Sequence, residues 1–136
     1  MTPSARTIQH FKKAGFFVQN VEMFIPQINI RRDLFGFIDL VVLDPKSEKI
    51  VGIQATTLAH AAERKDKIIN SCGKTATAWL KCQGIIEVWG WHKYKIPIER
   101  KYWRPKIATV TLDDLPPEGA GDAPQDRKSF FPQGKG

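Results

Sequence analysis

The sequence has few cysteines, few histidines and no long apolar run, and each shortage excludes a class of protein. Cys72 and Cys82 stand ten residues apart and the three histidines are scattered, which fits neither a disulfide framework nor a zinc site. Apolar stretches such as residues 37–43 contain a charge and are far shorter than the roughly 20 residues of a membrane-spanning helix. The first residues lack the layout of a secretory signal. We therefore expect no membrane partner and a cytoplasmic location.

Two catalytic signatures are also missing. Gly73-Lys74-Thr75 is similar to the end of a phosphate-binding loop, but Ile68 stands where the first glycine of that loop is required, so we expect no nucleotide cofactor. The surroundings of Ser71 match no nucleophile motif of an acyl-transfer enzyme.

What is present is an ordinary apolar content with a strong excess of positive charge. The 136 residues are 42% hydrophobic, enough for one domain with its own core. The net charge is +7, and residues 117–136 hold three basic and three acidic residues, so the excess lies in residues 1–116. We predict a single domain over 1–116 and a Pro/Gly-rich tail over 117–136. The charge indicates either a polyanionic partner or a soluble basic surface.

The order of helix and strand signals predicts an α/β fold. Thr2, Pro3 and Gly15 mark the start and end of a first helix. Stretches rich in strand formers follow at 16–24, 37–43 and 50–56, and glycine-free helical composition follows at 58–70. A short helix at 74–81 and strands at 85–89 and 107–112 complete the pattern. The prolines at 97 and 105 favour a loop or a frayed edge between the last two strands.

A hairpin between the second and third strands brings polar side chains together. If it closes symmetrically around the turn 44–49, Leu43 lies opposite Ile50 and Asp39 lies opposite Gln54. Asp39, Gln54 and Thr56 then share one face, whereas Ile38 shares the other face with Leu40, Val51, Ile53 and Ala55. A carboxylate in so apolar a strand needs a cation, a donor or solvent. Asp39 therefore binds an ion, faces water or accepts a hydrogen bond from the Gln54 amide.

Over residues 4–92 this pattern resembles the PD-(D/E)XK nuclease superfamily, which includes Holliday-junction resolvases and restriction endonucleases. That family has an αβββαβ core with a mixed central sheet flanked by helices, an Asp on one hairpin strand and Glu-x-Lys on the next. Here Phe37-Ile38-Asp39-Leu40 matches the first part, and Gln54-Ala55-Thr56 stands in place of the second. The string from Arg31 to Asp39 with Trp89-Gly90-Trp91 looks like phage and bacterial members, which implies a host cytoplasm.

The resemblance implies that Asp39, Gln54 and Thr56 form the catalytic site and that Mg²⁺ or Mn²⁺ is the cofactor. Asp39, the Gln54 amide oxygen and the Ala55 carbonyl would be ligands, and Asp33 and Glu22 are the available substitutes for further acids. With one carboxylate assigned, the expected affinity is low. Asp33 is either a ligand or the partner of the arginines beside it.

Thr56 departs from the family pattern, because a hydroxyl cannot replace the charge of the family's lysine. Arg64, Lys65 and Lys67 on the following helix are candidates for supplying that charge. Basic and aromatic residues interleave between 89 and 106, which is typical of a surface that contacts phosphates and unpaired bases, although the aromatics could instead pack the sheet. The candidate DNA contacts are Arg31, Arg32, Arg64, Lys65, Lys67, Lys93, Lys95 and Trp91.

Two functions follow. The first is a metal-dependent DNA endonuclease acting on branched or structured DNA, for which a homodimer would suit paired cuts. The alternative keeps the fold without activity, as a protein that binds DNA or acts as an assembly or interaction module in a phage.

Overall fold

The computed structural model describes residues 1–95 and 101–117, apart from the side chains of Lys95 and Lys101. Its elements in chain order are α1 (Pro3–Lys13), β1 (Phe17–Asn20), β2 (Met23–Ile25), β3 (Ile30–Arg32), β4 (Leu40–Asp44), β5 (Lys49–Thr57), α2 (Leu58–Ser71), α3 (Gly73–Lys81), β6 (Gly84–Lys95), β7 (Lys101–Val110) and a 3₁₀ turn (Leu112–Asp114). Nearly all of the predicted tail lies outside the described residues. No helix in the described part is long and apolar enough to cross a membrane.

A five-stranded mixed sheet with helices on both faces forms the body, as expected for an α/β protein. The strand order is β1-β4-β5-β6-β7, with β5 and β6 parallel and the other neighbours antiparallel. The β5–β6 connection runs through α2 and α3, which is the usual way to join parallel strands. The carboxyl ends of β5 and β6 and the start of β4 therefore meet at one end of the sheet.

Each sheet face has its own apolar layer. Side chains of Ile8 and Phe11 from α1 pack on a cluster that contains Leu40, Ile53 and Trp89. On the opposite face Ile68 of α2 and Ala76 of α3 lie in a second cluster with buried strand residues. A side chain at Gly52 would clash with Ile38 and approach Trp79, so glycine is required for this close packing.

The helix signals are confirmed at the N-terminus. The Thr2 hydroxyl accepts a hydrogen bond from the Ala5 amide at 3.1 Å, Pro3 opens α1, and Gly15 follows its end with φ +87°. The cap satisfies a helix-terminal donor, and glycine adopts the left-handed backbone that ends a helix at no steric cost.

The predicted strand over 16–24 is wrong in one respect, because the chain breaks it into β1 and β2. At the break the Val21 amide donates to the Asp39 carbonyl at 2.8 Å, and the Glu22 amide donates to the Asn20 side chain at 2.9 Å. These bonds redirect the chain, and β2 then pairs with β3, a strand that we did not predict.

Three other boundaries differ from prediction. The strand expected from Phe37 begins at Leu40, because Phe35 and Gly36 adopt positive φ and form a turn closed by the Leu34–Ile38 bridge. This turn places Ile38 against α2 and α3 rather than beside Leu40. Strands β6 and β7 are also much longer than expected and pair as a hairpin. Pro105 is accommodated because β7 is an edge strand, where a missing amide hydrogen costs little.

Candidate metal and nucleic-acid site

Asp39 lies where β4 begins, held by its backbone to the strands on both sides. Its amide donates to the Ile53 carbonyl at 2.9 Å, and its carbonyl accepts from Val21. The β4–β5 register pairs Leu40 with Ile53 and Leu43 with Ile50, so the predicted symmetric hairpin is confirmed. The pairing begins at Leu40, so Asp39 lies one residue before it and contacts Gln54 through its side chain instead.

The Asp39 carboxylate accepts a backbone hydrogen bond from β5, as a carbonyl of a neighbouring strand would. Its Oδ2 accepts from Gln54 Nε2 at 2.9 Å and from the Ala55 backbone amide at 3.0 Å. Only 5% of Asp39 is exposed, so the expectation that it faces water is wrong and the hydrogen bond from the Gln54 amide is confirmed. The two donors orient the carboxylate and compensate part of its burial.

Two further acids converge on Asp39 from the ends of the β2–β3 hairpin. Glu22 directly precedes Met23, and Asp33 directly follows Arg32, the residue that pairs with Met23. One oxygen each of Glu22, Asp33 and Asp39 lies within 4.8 Å of the others. We call these three residues the carboxylate cluster. Sequence reasoning named all three, but the hairpin that joins Glu22 to Asp33 is what brings them together.

The electrostatics of the cluster favour either a proton or a cation at Asp39. Burial, together with a hydrogen bond and like charge from Asp33, raises the pKa of Asp39 from an ordinary 3.8 to about 8. The Ala55 amide opposes the rise, whereas the charge of Glu22 adds to it. At neutral pH a metal-free cluster therefore holds Asp39 mostly protonated, since three carboxylates this close repel one another.

One positive side chain balances part of this charge. Arg31 lies 3.4 Å from Glu22, with 73% of its side chain exposed. Among the ion pairs of the described residues Arg31 is on Glu22 rather than on Asp33, so the expectation of an arginine partner for Asp33 is not met. An exposed pair contributes little stability, and Glu22 remains available as a ligand.

Gln54 and Thr56 are both buried on the sheet face that packs against α2 and α3. Gln54 donates to Asp39 through its amide nitrogen, which leaves the amide oxygen as its acceptor. Because Ile53 directs its carbonyl toward β4, strand periodicity directs the Ala55 carbonyl to the same side, where Asp39 lies. The Ala55 carbonyl oxygen, an available metal ligand, therefore faces the side of β5 on which the cluster lies.

The three helix cations differ in their surroundings. Lys65 lies 3.8 Å from Asp114, so its charge is already paired. Lys67 shares a neighbour with the cluster, because burial raises the pKa of the Cys72 thiol while Lys67 lowers it and Asp33 raises it. Of the three helix cations, Lys67 is therefore the one that we take forward as a candidate beside the cluster.

The expected base-stacking role of Trp91 is wrong. Its ring is 6% exposed, and its Nε1 donates to the Thr7 hydroxyl at 2.9 Å inside the α1 layer. The exposed aromatics of this region are Tyr94 and Trp103 instead. Lys93 is exposed as expected, Arg32 is exposed on β3, and the side chain of Lys95 lies outside the described residues.

Arg6 is a functional candidate that sequence reasoning missed. Its guanidinium lies 3.7 Å from the centre of the Trp103 ring, across the boundary between α1 and β7. Along the paired strands β6 and β7, every second side chain faces α1. Trp91 and Trp103 lie on that face and the tyrosines lie on the other, so strand alternation is the sequence signal that distinguishes them.

Comparison with known proteins identified no relative of this chain. No protein-family model matches the chain, and no curated protein or solved structure matches it.

Proposed function

We propose that the protein is a metal-dependent DNA endonuclease with a restriction-endonuclease-like core, acting on branched or structured DNA. The observation that carries this proposal is the carboxylate cluster, whose three oxygens lie within 4.8 Å of one another at the end of the β4–β5 hairpin. Carboxylates in this number and spacing are typical of a divalent cation site, although they do not select one metal.

The order of elements supports the proposal. A helix, an antiparallel hairpin carrying Asp39 and then Gln54, a helical crossover and a parallel strand follow one another in the described chain. This is the arrangement that the motif resemblance implies for the nuclease core. The additional β2–β3 hairpin lies before β4 and delivers two of the three acids.

The donor set fits Mg²⁺ or Mn²⁺. All available atoms are hard oxygens: three carboxylates, the Gln54 amide oxygen and the Ala55 carbonyl. When bound, such a cation supplies a Lewis acid for a phosphate oxygen and promotes ionisation of water. Loading the site displaces the proton that Asp39 holds, so the expected affinity rises with pH.

The chain's own residues orient this site. Gln54 Nε2 and the Ala55 amide fix Oδ2 of Asp39 by hydrogen bonds. Thr56 supplies no charge, so we assign to Lys67 the stabilisation of negative charge that the family's lysine provides. Paired cuts in a branched substrate would need a homodimer, which light scattering of the purified protein measures.

A second candidate function is DNA binding without cleavage, and a specific observation favours it. Gln54 donates to Asp39 in place of a second acid, and Thr56 is an uncharged residue where the family has lysine. Such a protein would keep the basic surface and lose turnover. A phage assembly module would lose DNA affinity as well.

A cleavage panel tests these alternatives. Four-way, duplex and single-stranded DNA are incubated with Mg²⁺, Mn²⁺ or EDTA, using wild type, Asp39→Asn and the matched control Asp44→Asn. Asp44 lies at the other end of the same strand and is exposed to solvent in part, so its loss should leave cleavage unchanged. We expect metal-dependent cleavage of the four-way DNA that Asp39→Asn abolishes. DNA binding without cleavage by wild type in either metal would reject the nuclease in favour of the second candidate.

A further inference from the structure

The β6–β7 hairpin extends beyond the rest of the sheet. Pairing of β5 with β6 ends where Thr57 meets Trp91, whereas β6 and β7 stay paired through Tyr94–Tyr102 and Lys95–Lys101. We call residues 92–95 and 101–104 the β6–β7 arm. It contains lysine or arginine at four positions and no acidic residue. A positive two-stranded ribbon therefore projects past the body of the protein.

One face of the arm carries two nearly parallel tyrosine rings. Tyr94 and Tyr102 are stacked with centroids 5.8 Å apart and planes 25° apart. The Arg104 guanidinium lies 4.9 Å from the Tyr102 ring, and the His92 ring meets Tyr94 edge-on at 4.6 Å. We call this group the tyrosine face. Tyr94 is 39% exposed, so its ring is accessible to a partner.

The other face of the arm is anchored to the body. Trp103 lies between cations, with Arg6 at 3.7 Å and Lys93 at 5.6 Å from its ring centre. Cation–π contacts of this kind contribute about 0.5–1 kcal/mol at exposed sites. Because α1 supplies Arg6, the arm is held to the first helix from this side, and the tyrosine face is left toward solvent.

The tyrosine face lies at the same end of the sheet as the carboxylate cluster. Strand β6 runs parallel to β5, so the arm continues past the carboxyl end of β5, and Asp39 directly precedes β4, which is antiparallel to β5. Along the arm, three residue steps at roughly 3.3 Å span about 10 Å. This length suits about three stacked nucleotides at a rise of about 3.4 Å.

From these observations we propose that the tyrosine face of the β6–β7 arm binds an unpaired DNA strand by stacking on its bases. Rings with neighbouring cations are the combination that binds single strands, because every base has a stacking face and every nucleotide has a phosphate. An acidic protein would complement the positive charge of the arm but would have no bases to stack on the two parallel rings. The choice of DNA rests on the proposed function, whereas the stacking does not require cleavage.

Equilibrium binding in EDTA tests the proposal independently of catalysis. The probe is fluorescein-labelled dT20, with a duplex of equal charge, rU20 and heparin as competitors. Heparin presents negative charge without bases. The variants are Tyr94→Ala and its matched control Tyr94→Phe, which keeps the ring. Tyr94→Leu keeps apolar bulk in the hairpin and serves if alanine lowers the melting temperature.

We expect Tyr94→Ala to weaken dT20 binding by at least about fivefold, the low end of the loss for one stacked base, with heparin binding unchanged. Tyr94→Phe should retain wild-type affinity. Equal affinity of Tyr94→Ala and wild type for dT20 would overturn the proposal, as would an equal loss of heparin binding. Stronger competition by the duplex or by rU20 than by unlabelled dT20 would also overturn it. Because no metal is present, absence of cleavage in the earlier panel leaves this result unaffected.

Discussion

The carboxylate cluster and the β6–β7 arm lie at the same end of the sheet and accumulate charge of opposite sign. In the cluster the oxygens of Glu22, Asp33 and the buried Asp39 lie within 4.8 Å of one another, and among the described ion pairs Arg31 contacts Glu22. In the arm Lys93 and Arg104 are exposed and lie beside aromatic rings. Burial makes the acidic group sensitive to protons and divalent ions, because desolvation penalises its charge. Exposure makes the basic group sensitive to salt, because solvent screens its charge.

This comparison indicates that neither region is arranged only to stabilise the folded state. Like charges in close proximity destabilise a folded protein unless a partner of opposite charge is bound. We therefore propose different partners for the two regions, a small cation in one and a polyanion in the other. The predictions below separate them by their responses.

The largest expected effect is loss of metal binding in Asp39→Asn. Asparagine keeps the shape of the side chain but removes the charge at the centre of the cluster. Loss of a residue that only supports a metal ligand lowers metal affinity by up to roughly 100-fold, so we expect loss of a direct ligand to lower Mn²⁺ affinity by roughly 100-fold or more. Isothermal titration with Mn²⁺ measures this. Asp44→Asn is the control, and dT20 affinity in EDTA should not change in either variant. A cluster variant that binds Mn²⁺ as wild type does would exclude the site.

The second effect is a fall in stability with rising pH in EDTA. The pKa of Asp39 is about 8 in the folded protein and near 3.8 when unfolded, so the folded state binds more protons between these values. The contribution is fully present below about pH 4 and is lost as pH rises through about 8. We expect the free energy of unfolding to fall by up to about 1.4 kcal/mol per pH unit in this window.

Urea unfolding at pH 5, 6, 7 and 8 checks the slope. Asp39→Asn should remove this slope, and saturating Mn²⁺ should reduce it, because the bound ion replaces the proton. Asp44 and Asp114 have lowered pKa values and act with the opposite sign only below about pH 4. A slope that persists unchanged in Asp39→Asn would assign it to another group.

The third effect concerns the charge that Thr56 does not supply. If Lys67 provides it, Lys67→Ala should slow four-way DNA cleavage by roughly 10- to 100-fold without changing Mn²⁺ affinity, since one positioned donor is worth at least about 100-fold in favourable sites. Lys65→Ala is the matched control, because Lys65 is already paired with Asp114. Single-turnover rates measure the effect. Equal rates in the two variants would remove Lys67 from the site.

The smallest effect is on the salt dependence of DNA binding. Arg104→Gln removes one cation from the arm, so the slope of log affinity against log salt should become less steep by roughly 0.7 for a single strand. Lys46→Gln, in the β4–β5 turn at the opposite end of the sheet, is the charge control and should leave the slope unchanged. The Mn²⁺ affinity of Arg104→Gln should equal that of wild type. If Lys46→Gln changed the slope as much as Arg104→Gln does, the result would contradict DNA binding at the arm.

Much of the fold near the site was predictable because its signals are local. The turn at 44–49 sets the β4–β5 register, and this register brings Asp39, the residue before β4, close enough to Gln54 for a side-chain hydrogen bond. The cap at Thr2 and the glycine at 15 delimit α1 for equally local reasons. Such signals need only neighbouring residues and the periodicity of a strand or helix.

The β2–β3 hairpin was not predictable in the same way. Met23 and Phe24 are exposed although they lie in the strand-forming stretch 16–24, and Ile30 on the partner strand is exposed as well. Only the bond from Val21 to Asp39 and the pairing of Met23 with Arg32 turn this segment into a hairpin. The first of these depends on Asp39, which lies beyond the whole β2–β3 hairpin in the sequence.

The sequence by itself determined the types of side chain at this end of the molecule: carboxylates around a strand pair, an amide in place of an acid, a hydroxyl in place of lysine, and cations among aromatic rings. Only the tertiary structure decided which of them meet. It buried Trp91 and exposed Tyr94, and it joined Glu22 and Asp33 to Asp39. The physical reason is that alternation along a strand defines two faces, whereas packing against helices from elsewhere in the chain decides which face is buried.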